Sequence, residues 1–401
     1  MPSKLAREVY VVGVGMHAFN NDAVPTALMA DVAGTEALAD ANIEFQEIGA
    51  LYNGHLGGGI GAGVHIAKEF GLTGIPVTHV ENASATGSSA FGEAVHAVGG
   101  GRVEVAMALG FDDMNRVGGL GRNRGRRMGA EDVMLPAAFF GMWATRRMHD
   151  VGTTAETFAA ISAKNWNHAR ANPHAQRRAD HVVSVEKVLG STMISYPHTS
   201  MMACASGGGA AAAIVASKEV AERLCEGRPM VRVTASQQRS ETYTDGHVFL
   251  GAVIGPAQMT RDTAADAYEQ AGLGPDDLDL VQVHDAFPIE ELVYYELLGI
   301  CGDGEGDRLV AEGATALGGR IPFSTDGGLT ARGHPGGPTG LAQIHETTLQ
   351  LRREAGVRQV EGANTGLCHM AGAGSVCVVH ILQREPASSN TTKREPIPRN
   401  Y

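Results

Sequence analysis

The chain has 401 residues, 44 of them acidic and 32 basic, for a formal net charge of −12. That acidity disfavours nucleic acid as a general partner, and no apolar run approaches the roughly 18 residues of a membrane span. With 43% hydrophobic and 19% charged residues the composition is globular rather than disordered. In chain order, Val-rich apolar runs predict buried strands at 9–14, 103–110, 230–235, 278–283 and 375–382. Helices are predicted at 26–41, 88–98, 154–168, 207–222, 261–271 and 340–355. The alternation is that of an α/β fold.

Length alone gives a prior of two to three domains. A helix–glycine turn–strand pattern at 88–110 is echoed at 340–382, as two similar halves would produce. Between them, 112–200 differs in character and reads as an inserted lobe, with the arginine-rich GRNRGRRMG and both tryptophans, Trp143 and Trp166. We therefore expect a first half at 1–250 that includes the lobe, a second at 251–385, and a flexible tail at 386–401. Lys4 and Arg7 precede a run too short for a signal-peptide core. Five widely spaced cysteines contain no C-x-x-C pair, so neither a disulfide framework nor a zinc knuckle is indicated. The expectation is a cytoplasmic, metal-free protein.

Four segments carry candidate chemistry. In Glu81-Asn-Ala-Ser84-Ala-Thr86-Gly-Ser88, Ser84 sits where a strand runs into a helix, and a helix start favours developing negative charge. As caps, Ser84, Thr86 and Ser88 would need no catalytic role. His284-Asp-Ala-Phe287 follows an apolar strand, at the edge where open α/β sheets place ligand contacts. His334 stands between glycine clusters in DGGLTARGHPGGPTG. Cys368 and His369 occupy a glycine-rich stretch, read as a turn, before the last strand, where a cysteine can shuttle protons. Gly13 and Gly15 lack the third glycine of a dinucleotide fingerprint, and Gly57–Gly59 lacks its strand and acidic residue, which disfavours a nicotinamide enzyme.

Together, ENASATGSSA, HDAF, GGLTARGHPGGPTGLAQ and the closing glycine-rich stretch resemble the thiolase superfamily, nearest the sterol-carrier-protein-type thiolases and thiolase-like acyl-CoA aldolases. The likeness spans nearly the whole chain. It implies a five-layer αβαβα fold of two similar halves and a reaction at the carbon–carbon bond between the α and carbonyl carbons of an acyl-CoA. It puts Ser84 at the acyl-accepting position, His334 beside it as base, His284 in an oxyanion hole, and Cys368 or His369 near the second acid/base. Arg122, Arg124, Arg126 and Arg127, with Gly333 and Gly374, fall where the family handles coenzyme A, which is a substrate or product; no covalently bound cofactor is implied. A homodimer or dimer of dimers is implied, and for the aldolase subgroup a small OB-fold/zinc-ribbon partner.

One departure matters. The family has cysteine where this chain, natively or by engineering, has Ser84. A hydroxyl ionises far less readily than a thiol and needs a base acting during attack. Three readings follow: a thiolase-type acyltransferase working through serine, a retro-aldol lyase cleaving a 3-hydroxyacyl-CoA without a covalent intermediate, and a non-catalytic partner subunit. For the lyase, His334, His284, Tyr294 or Tyr295 would supply the base and the oxyanion contacts. The histidines retained in or near glycine-rich loops favour an enzyme.

Overall fold

The computed structural model describes residues 5–115, 136–242, 257–372 and 376–387. The chain runs β1 (Val9–Asn20), α1 (Thr26–Ala41), β2 (Ala50–Gly54), α2 (Ala62–Phe70), β3 (Val77–Val80), α3 (Thr86–Gly99) and β4 (Val105–Asp113). An excursion follows, with α4 (Pro136–Val151), α5 (Ala155–Ala169), α6 (Val185–Leu189) and a small ribbon of β5 (Met193–Ser195) and β6 (His198–Thr199). The chain returns as β7 (Gly208–Ser217), α7 (Lys218–Leu224) and β8 (Met230–Ser240). It closes with α8 (Ala257–Ala271), β9 (Leu280–Gln282), α9 (Pro288–Leu297), α10 (Gly306–Ala311), α11 (Gly328–Ala331), α12 (Thr339–Arg352), β10 (Thr365–Gly372) and β11 (Val376–Glu385).

The main sheet has the order β3-β2-β4-β7-β1-β8-β11-β10-β9. Its two halves repeat one plan. Parallel pairing at each outer end (β3–β2–β4 and β9–β10) gives way to antiparallel pairing toward the centre. Helix α3 feeds β4 as α12 feeds β10, and Phe323 bridges Val281 in parallel where β3 pairs β2 in the other half. Among the described residues, the strand pairing between the halves is Tyr10 opposite Arg232 and Val11 opposite Val231. Helix α1 covers the outer face of β1, β7 and β4, α8 covers β8 and β11, and α3 and α12 touch each other and strands of both halves. That is the expected five-layer αβαβα arrangement, with separate apolar cores on the two outer interfaces and in the middle. Among the described residues, no helix is long and apolar enough to cross a membrane.

The middle helices are enclosed on nearly all sides, so their small and polar residues are buried along with the apolar ones, including Ser88, Thr86, Gln343 and Glu346. The described part of the excursion packs on the outer layer of the second half. Phe140 stacks on Phe287, with ring centroids 4.8 Å apart, and Arg147 reaches Glu296 at 2.6 Å.

Two sequence expectations are corrected here. The stretch 207–222, read as a helix from its alanines, is the central strand β7 followed by the short α7. Alanine's helix propensity is weak against pairing with β4 and β1 on both edges, and small side chains let helices lie close on both faces of that strand. The segment read as a glycine turn before the last strand is itself strand β10, bonded to β11 on one side and β9 on the other.

The halves meet most tightly where the loop before α12 crosses the start of α3. A Cβ on Gly87 would lie 2.4 Å from the Gly337 carbonyl oxygen, and one on Gly340 would lie 2.7 Å from the Ser88 backbone nitrogen. Backbone meets backbone there, so no side-chain rotation relieves the clash. Gly87→Ala is expected to cost about 1–3 kcal/mol of overpacking, read as a lower midpoint in urea unfolding. An unchanged midpoint would mean that the two segments are not in contact.

Candidate functional site

Ser84 lies in the short connection from β3 to α3. Its neighbour Ala83 holds a positive φ of 48°, a conformation costly for a residue with a Cβ and therefore one that its surroundings must enforce. Those surroundings are specific. The Ala83 N–H donates to Glu81 Oε1 at 2.7 Å, the Asn82 N–H to Thr86 Oγ1 at 2.9 Å, and Asn82 Nδ2 to Ser89 Oγ at 2.8 Å. The result presents the Ser84 hydroxyl, half-buried, just ahead of the first turn of α3, where the helix dipole favours negative charge.

Opposite it, Ser84 Oγ is 2.9 Å from His334 Nε2, across 250 residues of sequence. His334 Nδ1 is 2.8 Å from Thr339 Oγ1 at the start of α12. A neutral imidazole that donates its Nδ1–H to Thr339 accepts the Ser84 proton at Nε2. Burial, then the neighbouring His284 and Arg332, holds His334 well below the usual imidazole range, so it rests neutral. The loop carrying it is tied at both ends. Arg332, fully buried, pairs with Asp326 at 2.6 Å. The buried Asp112 carboxylate accepts the Gly337 N–H at 2.7 Å and those of Leu56 and Gly57 at 3.0 Å. Gly333 takes a φ of 121° beside Phe19.

His284 follows β9, and its ring meets that of His334 edge-on at a centroid distance of 5.4 Å. Its Nδ1 is 2.9 Å from Glu290 Oε1, which also accepts the Tyr294 hydroxyl at 3.3 Å. Asp285 next door staples this segment to the His334 segment. Its buried carboxylate accepts the Leu329 N–H at 2.7 Å and Asn165 Nδ2 at 2.9 Å. Burial and then the charge of Glu291 push that carboxyl well above its ordinary value.

His369 and Cys368 part company, because successive residues of a strand point to opposite faces. His369 is fully buried against Tyr294, with ring centroids 4.2 Å apart. Burial first, and then His284, lowers it to about 3. Cys368 packs among the apolar residues of the middle layer with Sγ 3.1 Å from Thr347 Oγ1, and burial pushes its thiol up to about 12. The expected turn cysteine poised to shuttle protons is therefore corrected to a strand cysteine, protonated at neutral pH. Tyr295 hydrogen-bonds Glu291 at 2.5 Å and does not share Glu290 with Tyr294. Arg122, Arg124, Arg126, Arg127 and Gly374 lie outside the described residues.

Ser84, His334 and His284 thus converge as expected, and His369 joins through His284 and Tyr294. Sequence reasoning passed over Asp112, Asp285, Glu290, the Arg332–Asp326 pair and Thr339. Asp285, Asp326, Arg332 and Thr339 carried a signal, since each sits inside a segment already singled out. A pocket of about 390 Å³ lined by Asn53, His55, Ile60 and His79 opens elsewhere and contains none of these groups.

A doubled α/β fold with a serine and two histidine loops meeting between its halves defines a thiolase-like protein. The comparisons agree. Residues 9–196 match the thiolase N-terminal domain and residues 253–384 the thiolase C-terminal domain-like family. The chain is 36% identical to sterol carrier protein 2 of Oryctolagus cuniculus, covering 96% of this chain and 74% of that protein. It is 34% identical to the benzoylsuccinyl-CoA thiolase subunit BbsB of Thauera aromatica, covering 92% and 96%. Among solved structures, the Ltp2-ChsH2(DUF35) aldolase superposes with a TM-score of 0.80 at 23% identity, covering 96% of this chain and 99% of that one, a likeness of fold. The chain belongs to the thiolase superfamily.

The buried imidazoles set a pH dependence. His334 lies well below its ordinary value of 6.5, His345 and His369 are lowered to about 3, and His168, His198 and His380 to about 4. Below about 6.5 the unfolded chain binds more protons than the folded one, so stability is lost as pH falls from there toward 4. Asp112, raised to about 7 by burial, and Asp285 act in the opposite sense, two carboxyls against six imidazoles. The urea midpoint is expected to fall between pH 6.5 and 5. A flat or rising midpoint would contradict the neutral state of these rings.

Proposed function

We propose that this protein makes or breaks the carbon–carbon bond between the α-carbon and the β-carbonyl carbon of a 3-ketoacyl-CoA, as a thiolase-type acyltransferase with serine in place of the nucleophilic cysteine. The observation that carries the reading is the 2.9 Å contact of Ser84 Oγ with His334 Nε2 ahead of α3. In cleavage of a 3-ketoacyl-CoA, His334 takes the Ser84 proton as Oγ attacks the keto carbon, the Cα–Cβ pair leaves with the α-carbon, and the acyl group stays on serine until coenzyme A removes it. Coenzyme A is then substrate and product. The naming of a relative as a benzoylsuccinyl-CoA thiolase subunit supports both the substrate class and assembly with further subunits. We take a homodimer or dimer of dimers as the core assembly, with an OB-fold/zinc-ribbon partner as the addition that the resemblance implies; that the aldolase neighbour's title joins two named components supports a second kind of subunit. Five unpaired cysteines favour a reducing, cytoplasmic setting.

Retro-aldol cleavage of a 3-hydroxyacyl-CoA is the second reading. It is favoured by Ser84 itself, a poor nucleophile, together with the neutral His334, a base able to take a β-hydroxyl proton without any covalent intermediate. Two substrates separate the readings. A 3-ketoacyl-CoA plus coenzyme A is expected to be thiolysed, and His334→Ala to slow this by about 10²–10⁴-fold, the worth of a general base. Ser84→Cys is expected to raise thiolysis by about 10²-fold, as a thiol is the better nucleophile. Aldehyde or ketone release from a 3-hydroxyacyl-CoA, with no thiolysis by either form, would replace the first reading with the second.

A further inference from the structure

The resemblance puts His284 in an oxyanion hole, while an imidazole at a strand's carboxyl end can equally act as acid/base; its hydrogen-bond partners favour the second role. Its Nδ1 faces Glu290 Oε1 at 2.9 Å, and Glu290 is only 2% exposed. A carboxylate accepts and does not donate, so a neutral His284 carries its one proton on Nδ1. Three features favour the carboxylate form. Glu290 lies in the first turn of α9, where an anionic side chain is stabilised by the helix dipole. The same Oε1 takes a second donor, the Tyr294 hydroxyl. Oε2 has no partner among the described residues that would suit a carboxylic O–H. What remains on His284 is the Nε2 lone pair, buried and without a partner among the described residues, on a ring 5.4 Å from that of His334. Cys368 Sγ is turned to Thr347 in the middle layer, on the strand face opposite His369, which leaves His284 as the candidate for the second acid/base role.

We propose that Glu290 is a positioning residue that fixes the tautomer of His284, making its Nε2 the proton acceptor for the α-carbon (C2) of the bound acyl-CoA. The proposal rests on the acyl-CoA reading above and assigns the second half of that chemistry. In the condensing direction, His284 Nε2 removes a proton from C2. The freed electron pair forms the C2–C3 bond to the acyl carbon held by Ser84, and the ester C–O bond breaks. Ser84 leaves as an alkoxide that recovers one proton, so the proton removed from C2 balances the proton regained by Oγ. In cleavage, C2 takes its proton from the imidazolium. The order of roles is then two bases on two loops: His334 for the serine and His284 for carbon.

Glu290→Gln tests this with little change of shape, because a glutamine amide can donate to Nδ1 and so move the ring proton to Nε2. Wild-type protein in D₂O is expected to exchange the C2 hydrogens of acetyl-CoA or propionyl-CoA, followed by mass spectrometry. Glu290→Gln is expected to lose about 10²-fold or more in the exchange kcat with KM unchanged. Nitrogen-15 spectra of wild-type protein are expected to show His284 protonated at Nδ1, a readout that needs no variant to fold. Wild-type exchange with His284 protonated at Nε2, or Glu290→Gln exchanging at the wild-type rate, overturns this proposal and leaves the acyl-CoA reading standing. Wild-type protein that neither exchanges C2 hydrogens nor turns over either thioester overturns both.

Discussion

Everything at the site depends on two stretches of backbone lying against each other in the middle layer. The loop before α12 can bring His334 to Ser84 only because Gly337 and Gly340 lie flush on Gly87 and Ser88 at the start of α3. Any side chain at the contact would separate the helices by roughly the thickness of a methyl group, and a hydrogen bond of 2.9 Å does not survive that displacement. The glycines therefore serve geometry first. Their conformational freedom is a cost in the unfolded chain, offset here by enclosure between two sheets.

Enclosure carries its own penalty, because the loops that form the site must satisfy their backbone groups where water is scarce. Buried carboxylates do this work. Asp112 takes N–H groups from the segment after β2 and from the His334 loop, so that strand ends of the first half hold a loop of the second. Asp285 does the same between the His284 and His334 segments, with Asn165 of the excursion as a third party. Arg332 and Asp326 close the loop internally. Buried pairs of this kind contribute little net stability, since desolvation cancels most of the attraction, but losing one partner costs about 3–5 kcal/mol. Their effect is to make a single arrangement of the three loops far cheaper than any alternative, which is what a site assembled from segments 50 and 250 residues apart requires.

How much of this the sequence discloses depends on where each signal is written. The strand β1, the helices α1 and α3, and the loops bearing Ser84, His284 and His334 are marked locally, by apolar runs ending in small-residue turns. Strand β7 is not. GGAAAAIVAS carries the composition of a helix, and only its neighbours β4 and β1 make it a strand. Strand β10 fails for the converse reason: TGLCHMAG has too few branched residues to announce itself and is recruited by pairing on both edges. That miss misplaced Cys368, since a residue in a turn faces solvent or substrate while a residue in a two-sided strand faces whichever layer its parity selects. Glu290 was illegible for another reason. Nothing in HDAFPIEEL distinguishes a capping glutamate from one folded back on the histidine six residues earlier.

The serine and the neutral histidine are consistent choices. A cysteine nucleophile works best as a thiolate beside an imidazolium, an ion pair that must exist before substrate arrives. Burial, His284 and Arg332 all oppose a proton on His334, so a cysteine placed here would attack as a thiol that gives up its proton during the step, still the better nucleophile, rather than from a resting ion pair. A serine asks for no resting ion pair; its proton moves only as the bond to carbon forms. The price of a weakly basic His334 is an uphill transfer, and that has to be recovered where charge develops, on an oxyanion beside the start of α3, whose growing negative charge also raises the basicity of the ring that must hold the proton. On this account the environment of His334, rather than the nucleophile alone, decides how far the site departs from cysteine chemistry, and Arg332 is part of that environment through its charge as well as through the loop it holds.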